Sequence, residues 1–248
     1  MSDSDERPLA GRRIFVTGAS RGFGQAVARA CGRAGATVLA AARNVRALET
    51  LADELVGEGC PEPLLVPINL QAAGVEDYAL VADHVAERLG ALDGLVLAAA
   101  MLGDLTPLSH YDTVTWARVF QVNLHANLLL AQALRPALRA SGHGRVVFVL
   151  ADEAYEARPN WGAYAVSKFA LRGLFELWAN ESAADDALRV NAIVPPPMRT
   201  RLRMDAFPAI DAAALPTPDI AVAACCALLG DAAPRGEVVR VAASGSPA

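Results

Sequence analysis

Lysine is almost missing from this chain. Of its 22 basic residues, all but Lys168 are arginines. Cysteine is sparse too: the four, Cys31, Cys60, Cys225 and Cys226, have neither metal-ligand spacing nor a CxxC pair. That pattern excludes a zinc module and a disulfide framework and predicts a reduced, cytoplasmic setting. His84, His110, His125 and His143 are scattered without an HExxH motif, so no metal is expected. The net charge is −5 and no basic block exists, which argues against a nucleic-acid partner. No stretch reaches the roughly 18 apolar residues of a membrane span. The richest, Ile220 to Leu229, is short and flanked by Asp219 and Asp231. The start, MSDSDERP, is acidic and lacks the basic and apolar regions of a signal peptide. Residues 1–10 read as a disordered lead-in, and 11–248 as one domain.

What the chain does have is 54% hydrophobic residues, enough for a large core. Strand-length apolar runs occur at Ile14–Val16, Thr37–Ala41, Leu64–Ile68, Leu95–Ala99, Val146–Leu150, Arg189–Val194 and Glu237–Val241. Helical periodicity fills the gaps at Gly22–Ala34, Val45–Val56, Val75–Leu89, Asp112–Ala140, Gly162–Ala183 and Pro218–Leu229. This alternation predicts an α/β fold: a Rossmann-type, doubly wound parallel sheet of about seven strands with helices on both faces. Ligands of such sheets bind beyond the carboxyl ends of the strands. The proline-rich segment 195–218 lies at that edge and reads as a substrate lid.

The lone lysine stands four residues after Tyr164. On a helix, positions i and i+4 share one face. An adjacent ammonium favours tyrosinate, so the pair is expected to bring the phenol pKa down towards a useful range. Three arginines in the lid, Arg199, Arg201 and Arg203, have two readings: contacts to an anionic substrate or the cofactor phosphates, and, the preferred one, solvated surface groups.

The first strand runs into Thr17-Gly18-Ala19-Ser20-Arg21-Gly22-Phe23-Gly24, and then a helix begins. Glycines at this spacing allow a tight turn, close backbone approach to a pyrophosphate, and close helix–strand packing. The helix N-terminus offers free N–H groups to the phosphates. At the end of the second strand, Ala42 and Arg43 stand where a carboxylate would bind the ribose hydroxyl of NAD. Arg21 and Arg43 together can clamp a 2′-phosphate, so the expected cofactor is NADP. Asn69, after the third strand, is a candidate contact to the adenine.

The glycine motif at 17–24, together with Tyr164-Ala165-Val166-Ser167-Lys168, resembles the classical short-chain dehydrogenase/reductase family over about residues 11–245. Asn123 matches that family's helix asparagine. Arg189 to Pro195, followed by Thr200, resembles the strand and loop that hold the nicotinamide carboxamide. The resemblance implies that Tyr164 exchanges a proton with the substrate oxygen. It implies that Lys168 binds the nicotinamide ribose and lowers the tyrosine pKa, and that Asn123 holds a water linking Lys168 to solvent. It places Gly18, Ser20, Phe23, Ala99, Met198 and Thr200 on the cofactor, and it implies a homodimer or homotetramer paired through the helices at 112–140 and 162–183.

Three positions depart from the family pattern. Ala151 replaces the serine that would polarise the substrate carbonyl, and Asp152 beside it is expected to point away. Leu97-Ala98-Ala99-Ala100 replaces Asn-Asn-Ala-Gly. Pro195-Pro196 replaces Pro-Gly, although Met198 keeps its N–H. Two readings follow. One is an NADP-dependent oxidoreductase acting on a small carbonyl or alcohol, weakened by Ala151. The other is an NADP-binding protein with little catalysis, serving as a sensor or assembly partner.

Overall fold

The computed structural model describes residues 7–243. Strands β1 (Arg13–Thr17), β2 (Thr37–Ala42), β3 (Leu64–Pro67), β4 (Gly94–Leu97), β5 (Gly144–Val149), β6 (Leu188–Val194) and β7 (Val238–Arg240) form one sheet. Its order is β3-β2-β1-β4-β5-β6-β7, and every pairing is parallel. The chain walks outward from β1 to β3, then crosses back to β4. The crevice at that reversal, between β1 and β4, is where doubly wound sheets bind ligands.

Strand side chains alternate between faces, and each face carries its own core. Ile14, Val16, Val38 and Val147 pack with α1 (Gly22–Arg33), α2 (Val45–Gly57) and α8 (Val222–Ala227). Phe15, Leu39, Leu95 and Phe148 pack on the other side with α3 (Val75–Leu89), α5 (Ala126–Ala140) and α6 (Gly162–Glu181). Strands buried on both faces explain why their sequences are continuously apolar rather than alternating.

Four expectations need correction. The lead-in is shorter than 1–10: Leu9 is 2% exposed in the core beside α1, and its N–H donates to the Ala34 carbonyl. Residues 1–6 lie outside the described residues. The fourth strand stops at Leu97, not Ala99, because the N–H groups of Ala98 and Ala99 both turn to the Thr17 hydroxyl at 2.9 and 3.0 Å. The helical segment 112–140 is three pieces: α4 (Thr113–Phe120), a π-helical turn at Gln121–His125, and α5. Such turns often mark functional sites, and this one contains Asn123. The lid contains a helix, α7 (Arg201–Ala206), with the Thr200 hydroxyl accepting from the Arg203 N–H at 3.2 Å.

Candidate active site

The turn after β1 brings two backbones into contact. Gly18 has φ +69°, a left-handed conformation, and a Cβ there would lie 3.0 Å from the Ala99 Cα. A Cβ on Gly24 would lie 2.5 Å from the Gly18 carbonyl oxygen. Both positions therefore need glycine, which places the start of α1 directly over β1. α2 and α4 are capped by the side chains of Asn44 and Asp112. α1 has no side-chain cap. Its first-turn N–H groups stay free to meet an anion.

Two cavities flank this turn. The first, about 280 Å³, is lined by Gly18, Phe23, Ala151, Tyr164, Lys168, Met198 and Thr200, among others. The second is lined by Ser20, Arg21, Arg43, Asn69 and Ala99, among others. The sequence-predicted cofactor residues are thus gathered into one crevice, with Arg21 bordering both halves. Arg43 is exposed and donates to the Gln71 side chain at 2.9 Å, and Asn69 accepts from the Gln71 N–H at 3.3 Å. The Met198 N–H meets no acceptor among the described residues, because the neighbouring loop bonds join Thr200 to Met198 and Arg199 to Pro216 through other atoms. Pro196 therefore leaves that donor in place.

Tyr164 and Lys168 sit on α6, 5% and 3% exposed, with the ammonium 5.8 Å from the phenol ring centre. Burial dominates both groups in the cofactor-free chain. Lys168 Nζ donates to the Val149 carbonyl at 2.8 Å. Burial pulls the Lys168 pKa down to about 8, partly opposed by Glu153. Burial and then Glu153 push the Tyr164 phenol well above its usual range, and the cation working against them is Arg203 of the lid. Desolvation outweighs the single ammonium in the cofactor-free chain.

Asn123 is fully buried, and its side chain bonds to two other segments. Its Nδ2 donates to the Met101 carbonyl at 3.0 Å and to the Ser167 hydroxyl at 2.9 Å, while its Oδ1 accepts from the Met101 N–H at 2.8 Å. Its own carbonyl accepts from Asn127 at 2.7 Å. The side chain ties the loop after β4 to α6. The strand tie lost with the alanines at 98–100 is supplied by Thr17, which also donates to the Val96 carbonyl at 3.3 Å.

Ala151 packs in a small apolar cluster with Trp161, Tyr164 and Leu202. Asp152 is held by Arg240 of β7 at 3.4 Å. Two residues were not legible beforehand. Glu153, 7% exposed, lines the first cavity. Arg203 was expected in solvent, yet it lines the same cavity and stacks over Phe207, 3.9 Å from the ring centre. The sequence offered only proximity to Ala151 for the first and an (i, i+4) aromatic for the second. Arg201 does behave as a surface group, paired with Asp205 at 2.7 Å. Among the described residues no cluster of three or more metal-ligating side chains forms, and no helix is long and apolar enough to cross a membrane.

Comparison with known proteins agrees with this geometry. The pattern that describes short chain dehydrogenases matches residues 12–211. The Uncharacterized oxidoreductase YciK of Escherichia coli (strain K12) is 39% identical over 207 residues, covering 84% of this chain and 81% of that protein. A solved short chain dehydrogenase from Pseudomonas syringae superposes with a TM-score of 0.92 at 34% identity, covering 95% of this chain and 96% of that one. One from Escherichia coli CFT073, complexed with NADPH, superposes with a TM-score of 0.91 at 37% identity, covering 95% and 98%. With the glycine turn, the buried Tyr164–Lys168 pair and the seven-stranded parallel sheet in one chain, the protein belongs to the short-chain dehydrogenase family of oxidoreductases.

Proposed function

We propose that this protein is an NADP-dependent oxidoreductase acting on a small carbonyl or alcohol substrate. The observation that carries the reading is the placement of Tyr164 and Lys168 in a cavity that opens onto the uncapped start of α1. Gly18, Ser20, Gly22, Phe23 and Gly24 would hold the pyrophosphate, Arg21 and Arg43 the 2′-phosphate, Asn69 and Ala99 the adenosine, and Met198 and Thr200 the carboxamide. The relative complexed with NADPH supports the choice of cofactor. When bound, the nicotinamide supplies or accepts a hydride. Tyr164 gives a proton to the substrate oxygen in reduction and takes it back in oxidation. Lys168 provides the charge that makes this exchange easier once a dinucleotide offsets its desolvation. Asn123 is a positioning residue that keeps α6 against the loop after β4.

A second reading, an NADP-binding protein with little catalysis, is favoured by one observation. Ala151 has no hydrogen to donate, and removing one such donor costs about 10²–10³ in rate. Calorimetry with NADPH and NADH, followed by NADPH oxidation against a carbonyl panel, separates the two. The oxidoreductase reading expects NADPH-selective binding and turnover that Tyr164→Phe abolishes. Tight NADPH binding without turnover, unchanged by Tyr164→Phe, selects the second.

We also read the protein as a cytoplasmic homodimer or homotetramer. Val166 and Phe169, 40% exposed, and Leu177, 64% exposed, form an uncovered apolar face of α6. A monomeric mass by light scattering at micromolar concentration would contradict that assembly.

A further inference from the structure

Most charged groups around the first cavity already have partners. Lys168 donates to Val149, Asp152 pairs with Arg240, Arg201 with Asp205, and Arg158 with Glu156 at 3.2 Å. Arg21 borders the dinucleotide half. Glu153 and Arg203 are different. Both line the cavity, and among the described residues neither side chain makes a hydrogen bond or an ion pair. Arg203 Nε is buried without an acceptor. Glu153 is 7% exposed, and its carboxylate oxygens are not among the buried atoms left without a partner, so they keep accessible surface on the cavity. A buried polar atom without a partner is costly, which singles out Arg203 Nε, and Arg203 lines the same cavity as the Glu153 carboxylate.

Glu153, Arg203 and Tyr164 line one cavity of about 280 Å³, so a small ligand held by the first two shares it with the phenol that exchanges the proton. Their opposite effects on the Tyr164 phenol agree with that placement. A charged substituent would satisfy one member and oppose the other. A hydroxyl suits both, because it donates one hydrogen to a carboxylate and accepts from a guanidinium. Resting on the oxidoreductase reading, the geometry points to an α-hydroxy carbonyl substrate (a vicinal diol in the reverse direction). Its hydroxyl lies between Glu153 and Arg203, beside the carbonyl that Tyr164 protonates. Glu153 and Arg203 are the specificity-determining residues.

The test uses ketones that differ in one substituent: hydroxyacetone, butanone, aminoacetone and pyruvate, each with NADPH and the full chain. Hydroxyacetone is expected to exceed butanone in kcat/KM by about tenfold or more, since a site built to bond a hydroxyl rejects the analogue lacking it. That ratio should fall to near one in Glu153→Gln and in Arg203→Met. The wild-type ranking decides the matter even if a variant fails to fold. Butanone equal to hydroxyacetone overturns the proposal, as does a clear preference for aminoacetone or pyruvate. Ligand-observed saturation-transfer NMR on the NADP-loaded protein separates failure of the site from failure of catalysis. Selective hydroxyacetone binding without reduction upholds the site and removes the oxidoreductase reading. NADPH binding with no hydroxyacetone preference in either measurement removes the site alone.

Discussion

Lys168 gives its hydrogen bond to the Val149 carbonyl at 2.8 Å, not to the phenol four residues before it. The ammonium is anchored to the end of β5 and half discharged at slightly alkaline pH, because burial holds its pKa at about 8. An anionic dinucleotide in the same crevice favours the charged form. NADPH binding at pH 8 should therefore take up about half a proton. Calorimetry in two buffers of different ionisation enthalpy reads that number directly. Uptake should fade at pH 6.5, where the amine is already protonated, and vanish in Lys168→Met. An equal apparent enthalpy in both buffers at pH 8 would show that Lys168 does not sense the cofactor.

The same group sets a stability trend. Its folded pKa lies below the usual 10.5, so between about pH 8 and 10.5 the unfolded chain binds more protons. The cofactor-free protein should gain stability as pH rises from 8, and lose it again above about 10, where Tyr164 resists the ionisation that unfolding allows. Lys168→Met should remove the rise and stabilise the free protein at pH 7 by about 1–2 kcal/mol, while weakening NADPH binding. Urea titrations at pH 7, 8.5 and 9.5 test the sign.

Much of this was legible in the residues, and the failures have physical causes. Near-continuous apolar runs marked seven strands because parallel strands are buried on both faces, as at Val146 to Val149. The glycines of 18–24 announced a turn because no other residue fits over the Gly18 carbonyl. Asn123 is singled out by the family resemblance, but its partners Met101 and Ser167 come from two other segments that no local pattern links. The spacing of Tyr164 and Lys168 reports distance and says nothing of the desolvation that raises the phenol in the cofactor-free chain. Glu153 escaped because a lone acid in a connecting turn reads as surface until folding buries it.

Ala151 tests how far the chemistry is weakened. Its methyl packs against Trp161 and Tyr164 in the cavity wall. A serine there adds one hydroxyl donor facing the reacting oxygen. Ala151→Ser should raise kcat by about tenfold or more on any carbonyl the wild type already reduces, with unfolding stability changed by less than about 1 kcal/mol. An unchanged kcat would mean that another group already supports the oxyanion.

Arg43 should decide between the two nicotinamide cofactors. It stands exposed just after β2 and, among the described residues, donates to the Gln71 amide oxygen alone, an arrangement a phosphate can displace. Arg43→Ala should weaken NADPH by about 10- to 100-fold, the worth of a charge-assisted bidentate contact, and leave NADH nearly unaffected. Equal losses for both dinucleotides, measured by calorimetry, would place Arg43 away from the 2′-phosphate.

Gly24 should be the least replaceable residue of the crevice. A Cβ there would meet two carbonyl oxygens, Gly18 at 2.5 Å and Thr17 at 2.9 Å, and neither can move without breaking the β1 turn. Gly24→Ala must push α1 away from β1, and the free N–H groups at its start move with it. Overpacking of this kind costs about 1–3 kcal/mol, and NADPH affinity should fall with it. Gly57 at the end of α2 is the control, since a Cβ there meets nothing within 4 Å. Gly57→Ala should leave NADPH binding intact and change stability by less than about 1 kcal/mol. If both alanines behave alike in thermal melts and in NADPH titrations, the close contact between α1 and β1 is not what shapes the dinucleotide site.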